Sequence, residues 1–376
     1  MDFSFNKEES MFRKMAAEFF KKECPPSFVS EMLEDEKGYS PAMWRKMAEL
    51  GFTGLIFDEK YGGLEGTFLE LSIIMEEMGR ALLPAPFFST VILSGLILQD
   101  FAKDSLKDKY LSPLAFGEAI STLALTGAAG FYSTEESGLL AEKKGDGYEI
   151  SGSALFVPYA HVSDIMLCNT SVMDSGVDQG ETLFVLDIKT AEAQIIPMNS
   201  ISGDRLCEVV IKGCEVSPDN IIGGIGQGGV YIERVWPKIV TAKCIEMVGA
   251  IQQVLDMTVS YVNDRRQFGK PLAAFQAIQH LCADMAIQLE TSKVIAYQAA
   301  WMINEGLPGQ KEAAMAKAWC SQAFKDVVKM AHQAQGAIGF TEEHDLHLFT
   351  KRAKAWELTF GDIDYHRETV ATCMQL

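Results

Sequence analysis

A chain of 376 residues, 48% of them apolar, is long enough for two or three domains with sizeable cores and has the composition of an ordinary soluble globular protein. Its formal net charge of −18 argues against a nucleic-acid partner, which needs a basic groove, although single arginines can still hold a phosphate. The 8 cysteines (Cys24, Cys168, Cys207, Cys214, Cys244, Cys282, Cys320 and Cys373) show neither metal-site nor disulfide spacing and suit a reducing cytoplasm.

The first segment, MDFSFNKEESMFRKMAAEFF, is charged and amphipathic, so no secretion leader is read there. No apolar run reaches membrane-spanning length, and no membrane insertion is expected. Residues 1–120 read as an all-α domain. Phe12, Met15, Ala16, Phe19 and Phe20 mark one helical face. Ser40 followed by Pro41 signals a helix start, with the hydroxyl as cap and proline in the first turn, and the helix ends near Gly51. Tyr61-Gly62-Gly63 reads as a turn and Thr67–Ala81 as a helix. The apolar run Leu82–Phe101, broken by Pro84 and Pro86, reads as a buried core, with the wall of an apolar pocket as the alternative.

Residues 121–226 change period. TLALTG, AEKKGDGYEISGSALFVP, DIMLCN, ETLFVLDI and EVVIKGCEV are short β-rich runs separated by turn formers, with a hairpin turn at Gly145-Asp146-Gly147. They predict an antiparallel β domain of roughly one hundred residues. The glycine-rich link that follows, up to Gly229, lacks the Gly-Lys-Ser/Thr ending of a phosphate loop. Residues 227–376 return to helices over Val230–Asn263, Ala273–Asn304 and Lys311–Ala334, then a turn at Gly336-Ala337-Ile338-Gly339 and a last helical stretch. Four long helices suffice for a bundle. The expected fold is α+β multidomain: an N-terminal all-α domain, a middle antiparallel β domain and a C-terminal four-helix bundle.

The first two long C-terminal helices meet at RRQFGKPLAAFQAIQH, residues 265–280. Gly269 can take a positive φ and Pro271 cannot continue a helix from within, so the chain turns a corner there. Arg265 and Arg266 stand on the incoming side, Gln276, Gln279 and His280 on the outgoing side. A planar guanidinium can grip a phosphate with two hydrogen bonds. A helical hairpin with a basic corner is the bland alternative. The order of residues separates the two: R-x-Q-F-G-x-P-L-x-x-F-Q-x-I-Q-H-x-x-A-D-M resembles the signature of the acyl-CoA dehydrogenase family. The likeness runs along nearly the whole chain. The segment Val216–Gly223 resembles the element that closes the family's β domain. Gln333–Phe340 resembles Q-x-x-G-G-x-G-F, with Ala337 replacing one glycine.

That resemblance implies bound FAD, an acyl-CoA substrate, an electron-transfer flavoprotein as acceptor, and a dimer or tetramer, homo-oligomeric or possibly hetero-oligomeric. It implies removal of the thioester's α-proton by a carboxylate while the β-hydrogen leaves as hydride, with donors on the thioester oxygen. The usual base lies in Tyr-Glu-Gly-Thr, which aligns with Thr359-Phe360-Gly361-Asp362. Phe360 has no proton-accepting side chain, though its backbone N–H can still serve the thioester oxygen, and Gly361 falls on the substrate side. A second position that some members use aligns with Ile239. Two turns on stands Glu246, with Ala242, Gly249 and Ala250 on the same helix face. The run Cys244–Gly249 resembles the A-A-E-x-V-G of bacterial members acting on cyclic, aromatic or steroid side-chain acyl-CoAs. Glu246 is therefore the hypothesised base, its notch of small residues open to a ligand. A salt-bridged helix acid is the alternative.

For the flavin, the resemblance points to Leu123, Leu125, Thr126, Phe156, Val157, Pro158, Arg265, Gln267, Phe268, Gln276, Gln333, Gly336, Ala337, Asp362 and Asp364, and for the substrate to Tyr132. Two departures stand out. Phe156-Val157-Pro158 replaces W-I-T, and Pro158 has neither N–H nor hydroxyl to offer. The loop Gly127–Ser133 replaces E-P-x-A-G-S-D. Asp362 and Asp364 also read as turn and helix-cap acids. His344 and His347 lie in a segment that resembles a structural one of the family, and no metal is expected. A displaced base implies a bulky substrate: cyclic, aromatic-derived or branched. The rival is a non-catalytic subunit of a hetero-oligomeric dehydrogenase. A flavin monooxygenase on the same fold, which needs no base, is a weaker third.

Overall fold

The computed structural model describes residues 6–127 and 138–376. Helices α1 (Lys7–Glu23) and α2 (Pro26–Glu34) open the chain, followed by α3 (Pro41–Glu49) and α4 (Phe68–Ala81). Ser40 caps α3 as expected: its hydroxyl accepts from the Met43 N–H at 3.3 Å, and Pro41 fills the first turn. After Pro84 and Pro86 the apolar run winds as a π-helix over Phe88–Gly95 and continues as α5 (Leu96–Phe101). Val91, Ile92, Leu93, Ile97 and Leu98 are all buried, as the core reading requires. Helix α6 (Asp104–Ala115) leads into the strands.

The chain divides into two compact units, each discontinuous in sequence. One comprises Met32–Thr67 and Pro84–Trp236, the other Met1–Glu31, Phe68–Leu83 and Pro237–Leu376. The first holds a seven-stranded sheet of β1 (Ser121–Ala124), β2 (Leu139–Lys144), β3 (Gly147–Pro158), β4 (Ile165–Asp174), β5 (Val177–Asp187), β6 (Gln194–Met198) and β7 (Leu206–Val216). Its order is β1-β4-β2-β3-β7-β6, with β5 paired to β4. Gly145 and Asp146 make the tight turn from β2 to β3, with Gly145 at φ 59°. The wholly antiparallel sheet expected from the sequence is instead mixed, because β1 and β2 both run parallel to β4. Alternating apolar residues report which face of a strand is buried, not the direction of its neighbour.

The second unit is helical. Its long helices are α7 (Gly228–Asp264, which begins in the first unit), α8 (Gln276–Asn304) and α9 (Gln310–Gln335), followed by α10 (Leu346–Leu358) and α11 (Ile363–Cys373). Helix α8 packs on α9, and α9 carries α10 and α11. Helices α1 and α4 also belong here, and α4 packs on both α1 and α8. A buried charge cluster ties them. Glu76 accepts from the Tyr297 hydroxyl at 2.5 Å and from Arg13 at 2.7 Å, with Lys293 at 3.8 Å. Two paired charges and a hydroxyl satisfy a carboxylate that would be costly to bury alone. Burial and the adjacent Glu76 push the Tyr297 hydroxyl well above its ordinary pKa. Among the described residues no helix is long and apolar enough to cross a membrane.

Candidate active site

The turn between α10 and α11 places Phe360 and Gly361 in the left-handed region, at φ 60° and 96°. Phe360 is half-buried and Gly361 buried. A Cβ at position 361 would lie 2.4 Å from Tyr365 Cδ1 and 2.8 Å from His366 Nε2, so only glycine fits without displacement. The Phe360 carbonyl accepts from His366 Nε2 at 2.8 Å. Lys317, fully buried on α9, donates to the Glu357 and Gly361 carbonyls, each at 2.9 Å. Neither Lys317 nor His366 is singled out by the sequence motifs. The signal that could have found Lys317 is its place among Ala313, Ala316, Cys320 and Phe324 on the buried stripe of α9.

Asp362 caps α11, its carboxylate accepting from the Tyr365 N–H at 2.9 Å. Asp364 is exposed and pairs with Arg367 at 3.3 Å. Both behave as the cap and turn acids of the simpler reading.

Glu246 is buried on α7, and its carboxylate forms an ion pair and hydrogen bond with Lys243, one turn back. The Lys243 ammonium also lies 4.7 Å from the centre of the Trp356 ring. The small residues around Glu246 serve another purpose than an open notch. A Cβ on Gly249 would fall 1.8 Å from the Glu76 carbonyl oxygen, and one on Gly79 would fall 1.9 Å from that of Glu246. The two glycines let α4 and α7 touch backbone to backbone, so the Gly249 side of the expected notch is filled by α4. Ala242, Ala250 and Ile239 are buried as well.

At the corner, α7 and α8 are joined by a miniature hairpin of β8 (Arg266–Gln267) and β9 (Lys270–Pro271), with Phe268 and Gly269 both at positive φ. Arg265, Gln267 and Gln276 are exposed, and Phe268 is 90% exposed. The Arg265 carbonyl accepts from the Leu272 N–H at 2.8 Å and closes the turn. The sequence placed this corner but not its strands, which are too short to show a period.

At the end of α9, Gln333 lines a cavity of about 450 Å³ together with His332 and Phe340, whose rings stack at 4.3 Å. Gly336 at φ 70° and Ala337 follow, both exposed, and nothing lies within 4 Å of where a Gly336 Cβ would stand. His344 and His347 make local bonds: His344 Nδ1 accepts from the Leu346 N–H at 3.2 Å, and His347 Nδ1 lies 2.9 Å from the His344 carbonyl.

In the sheet unit, a bulge between Ala154 and Val157 turns Phe156 to φ 56° and leaves it 46% exposed. Val157 points the other way, into the core, which leaves only its backbone to meet a ligand. Pro158 pairs with Leu206, and its carbonyl accepts from the Thr122 hydroxyl at 2.6 Å. Leu123 is buried in β1, Leu125 is half-buried, and the Thr126 carbonyl accepts from the Leu155 N–H at 2.8 Å. Tyr132 and the altered loop around it lie outside the described residues, apart from Gly127.

Two family profiles match this chain: "Acyl-CoA dehydrogenase, N-terminal domain" over residues 6–118 and "Acyl-CoA dehydrogenase, C-terminal domain" over residues 241–375. Together they span about two-thirds of it. The chain is 27% identical over 376 residues to the mitochondrial short/branched chain specific acyl-CoA dehydrogenase of Bos taurus, covering 99% of this chain and 86% of that protein. It is 26% identical to the acryloyl-CoA reductase (NADH) of Anaerotignum propionicum, covering 99% and 95%. Butyryl-CoA dehydrogenase from Megasphaera elsdenii superposes over 100% of both chains, with a TM-score of 0.92 at 26% identity.

Proposed function

The chain belongs to the acyl-CoA dehydrogenase family, and we propose that the acyl-CoA it oxidises is bulky: cyclic, aromatic-derived or branched. Membership makes it an FAD-dependent oxidoreductase that acts on a CH–CH bond and dehydrogenates an acyl-CoA thioester. What supports the finer reading is the placement of two groups on different helical elements. The α10–α11 turn has Phe360 where an acid is expected, and the buried carboxylate Glu246 stands on α7. A base on another helix meets the α-carbon from another direction, which suits a substrate of different girth. The similarity to a relative specific for short and branched chains supports the branched class.

The residues present fit FAD in kind. Phe156, aimed outward by its bulge, offers an aromatic wall, with Leu123, Leu125, Thr126 and the backbone of Val157 and Pro158 beside it in sequence or sheet. Arg265 offers a guanidinium for the pyrophosphate. Gln267, Phe268, Gln276, Gln333, Gly336 and Ala337 are exposed and available. Asp362 and Asp364 are engaged in a cap and a surface pair, and we assign them no flavin contact. FAD, when bound, would supply the hydride acceptor. Glu246 takes the α-proton, with Lys243 fixing the direction of its carboxylate. The Phe360 N–H donates to the thioester oxygen as charge gathers there, with Gly361 next to it on the substrate side of the turn. An electron-transfer flavoprotein would take the electrons onward. The exposed corner around Phe268 suits a homo-oligomer, and the unpaired state of all eight cysteines suits the cytoplasm.

Two observations favour a second reading, that of a subunit dependent on a partner for catalysis: Glu246 is already paired, and the Gly249 side of its notch is filled. A visible spectrum of the purified chain, before and after anaerobic addition of an acyl-CoA panel, separates the two. Bleaching of a flavin band by a branched or cyclic thioester is expected, and a chain that stays colourless with added FAD supports the partner-dependent subunit. Within the first reading, Glu246→Gln should lower kcat about 10²- to 10⁴-fold with FAD retained. Near-normal turnover would remove Glu246 from the role of base.

A further inference from the structure

We infer that Lys317 and His366 are positioning residues for the thioester: they hold the two carbonyls of the Phe360–Gly361 turn so that the Phe360 N–H keeps its aim. The inference rests on the reading of that N–H as donor to the thioester oxygen.

The left-handed conformation is costly for phenylalanine, which has a Cβ to crowd the backbone. Left to itself, position 360 relaxes to negative φ, and its N–H swings away relative to the carbonyl that follows. Something must hold it, and two buried side chains do so from opposite directions in sequence. Lys317 comes from α9, 0% exposed. All three of its ammonium donors are used, on the Ser321 hydroxyl at 3.1 Å and on the Glu357 and Gly361 carbonyls at 2.9 Å each. Glu357 lies in the last turn of α10, where carbonyls lack helical partners and a cation is favourable. One ammonium thus spans from the end of α10 to the far side of the turn. Burial lowers the Lys317 pKa to about 8, the expected response of an ammonium removed from water, and it stays charged at neutral pH.

His366 comes from α11, 2% exposed. A carbonyl can only accept, so the contact with the Phe360 oxygen fixes the proton on Nε2. The other nitrogen, Nδ1, is buried without a hydrogen-bond partner, as suits a neutral ring held in one tautomer. Gly361 completes the clamp, because a Cβ there would meet the same His366 Nε2. Consecutive carbonyls, at 360 and 361, are therefore each gripped by a group of its own. Lys317 and His366 are both buried, and neither takes a proton in the reaction; their effect on substrate passes through the backbone.

The test uses the FAD-loaded full chain and 2-methylbut-2-enoyl-CoA carrying ¹³C at the thioester carbonyl, a product-like probe that does not turn over. Isotope-edited infrared spectroscopy reads the carbonyl band, which moves to lower wavenumber when the oxygen accepts a hydrogen bond. In the natural chain the band is expected to fall on binding. In Lys317→Met and in His366→Phe it is expected to return towards its position in free solution, with kcat on the saturated 2-methylbutanoyl-CoA lowered roughly 10- to 100-fold, KM changed less than about threefold, and FAD content unchanged. His366→Gln, which keeps an amide donor, should recover most of the shift. A clamp with no role in positioning would leave the band of both variants where it is in the natural chain, with kcat within about threefold, and that result overturns the inference. If Lys317→Met does not fold, His366→Phe and His366→Gln carry the test alone. A natural chain whose band does not move on binding overturns the Phe360 donor reading itself, a result distinct from failure of the clamp.

Discussion

Of the chain's three Phe-Gly pairs, two have both residues at positive φ, Phe268-Gly269 and Phe360-Gly361, and they are held by different means. All four residues have positive φ, between 53° and 96°. At the corner, the conformation is local. A two-residue hairpin turn of this type needs positive φ at both central positions, and β8 and β9 close it with their own hydrogen bonds. The Phe268 ring projects into solvent, and nothing lies within 4 Å of a Gly269 Cβ. At the α10–α11 turn, the conformation is imposed from outside, by Lys317 forty-three positions before Phe360 and by His366 six after it. The same dipeptide is therefore self-sufficient in one place and dependent on the tertiary structure in the other.

Four experiments press on that contrast, from the largest effect to the smallest. Gly361→Ala combines a clash with Tyr365 and His366 with an unfavourable φ, and should destabilise the fold by about 4 kcal/mol in denaturant unfolding. Acid should act on the same turn. Burial, against the opposing pull of the Phe360 carbonyl, pushes His366 from 6.5 down to about 4. As pH falls, the unfolded chain binds this proton first, so stability present above about pH 6.5 is lost progressively towards pH 4. The loss is on the order of 3 kcal/mol, and urea midpoints across that window should lose this slope in His366→Gln. Gly269→Ala meets no neighbour and should cost only about 1 kcal/mol in the same assay. Phe268→Ala should leave stability within about 0.5 kcal/mol while reducing the assembled fraction on sedimentation. If Gly269→Ala proved as damaging as Gly361→Ala, the distinction between the turns would collapse.

The same contrast explains what could be read without coordinates. Features set by neighbouring residues were legible: the Ser40 cap, the Gly145-Asp146 turn, the bounds of α7 to α9 to within a few residues, and the Gly269 corner. Features set by distant residues were not. The parallel pairing of β1 and β2 with β4 leaves no mark on alternation. The eight-residue π-helix after Pro86 looks like any apolar run. At the candidate site, the small residues near Glu246 were visible, but their purpose was not. Gly249 could have admitted a ligand or a helix, and the partner helix α4 lies more than 160 residues away in sequence. Lys317 was hidden for a related reason. A lysine in an alanine-rich helix reads as solvent-facing until the opposite wall is known, and only the carbonyls of Glu357 and Gly361 give it a purpose.

A donor made of main chain has no side chain of its own to lose. Every amino acid except proline brings an N–H to position 360, so a point mutation there can delete or restore an acid without erasing the neighbouring hydrogen bond, provided the turn keeps its shape. On the reading of that N–H as donor, proton handling and oxygen binding are separable by mutation, one through the side chain at position 360, the other through the residues that grip the turn's carbonyls. Phe360 in this chain is compatible with that independence: the position holds no carboxylate, and the turn keeps its left-handed backbone.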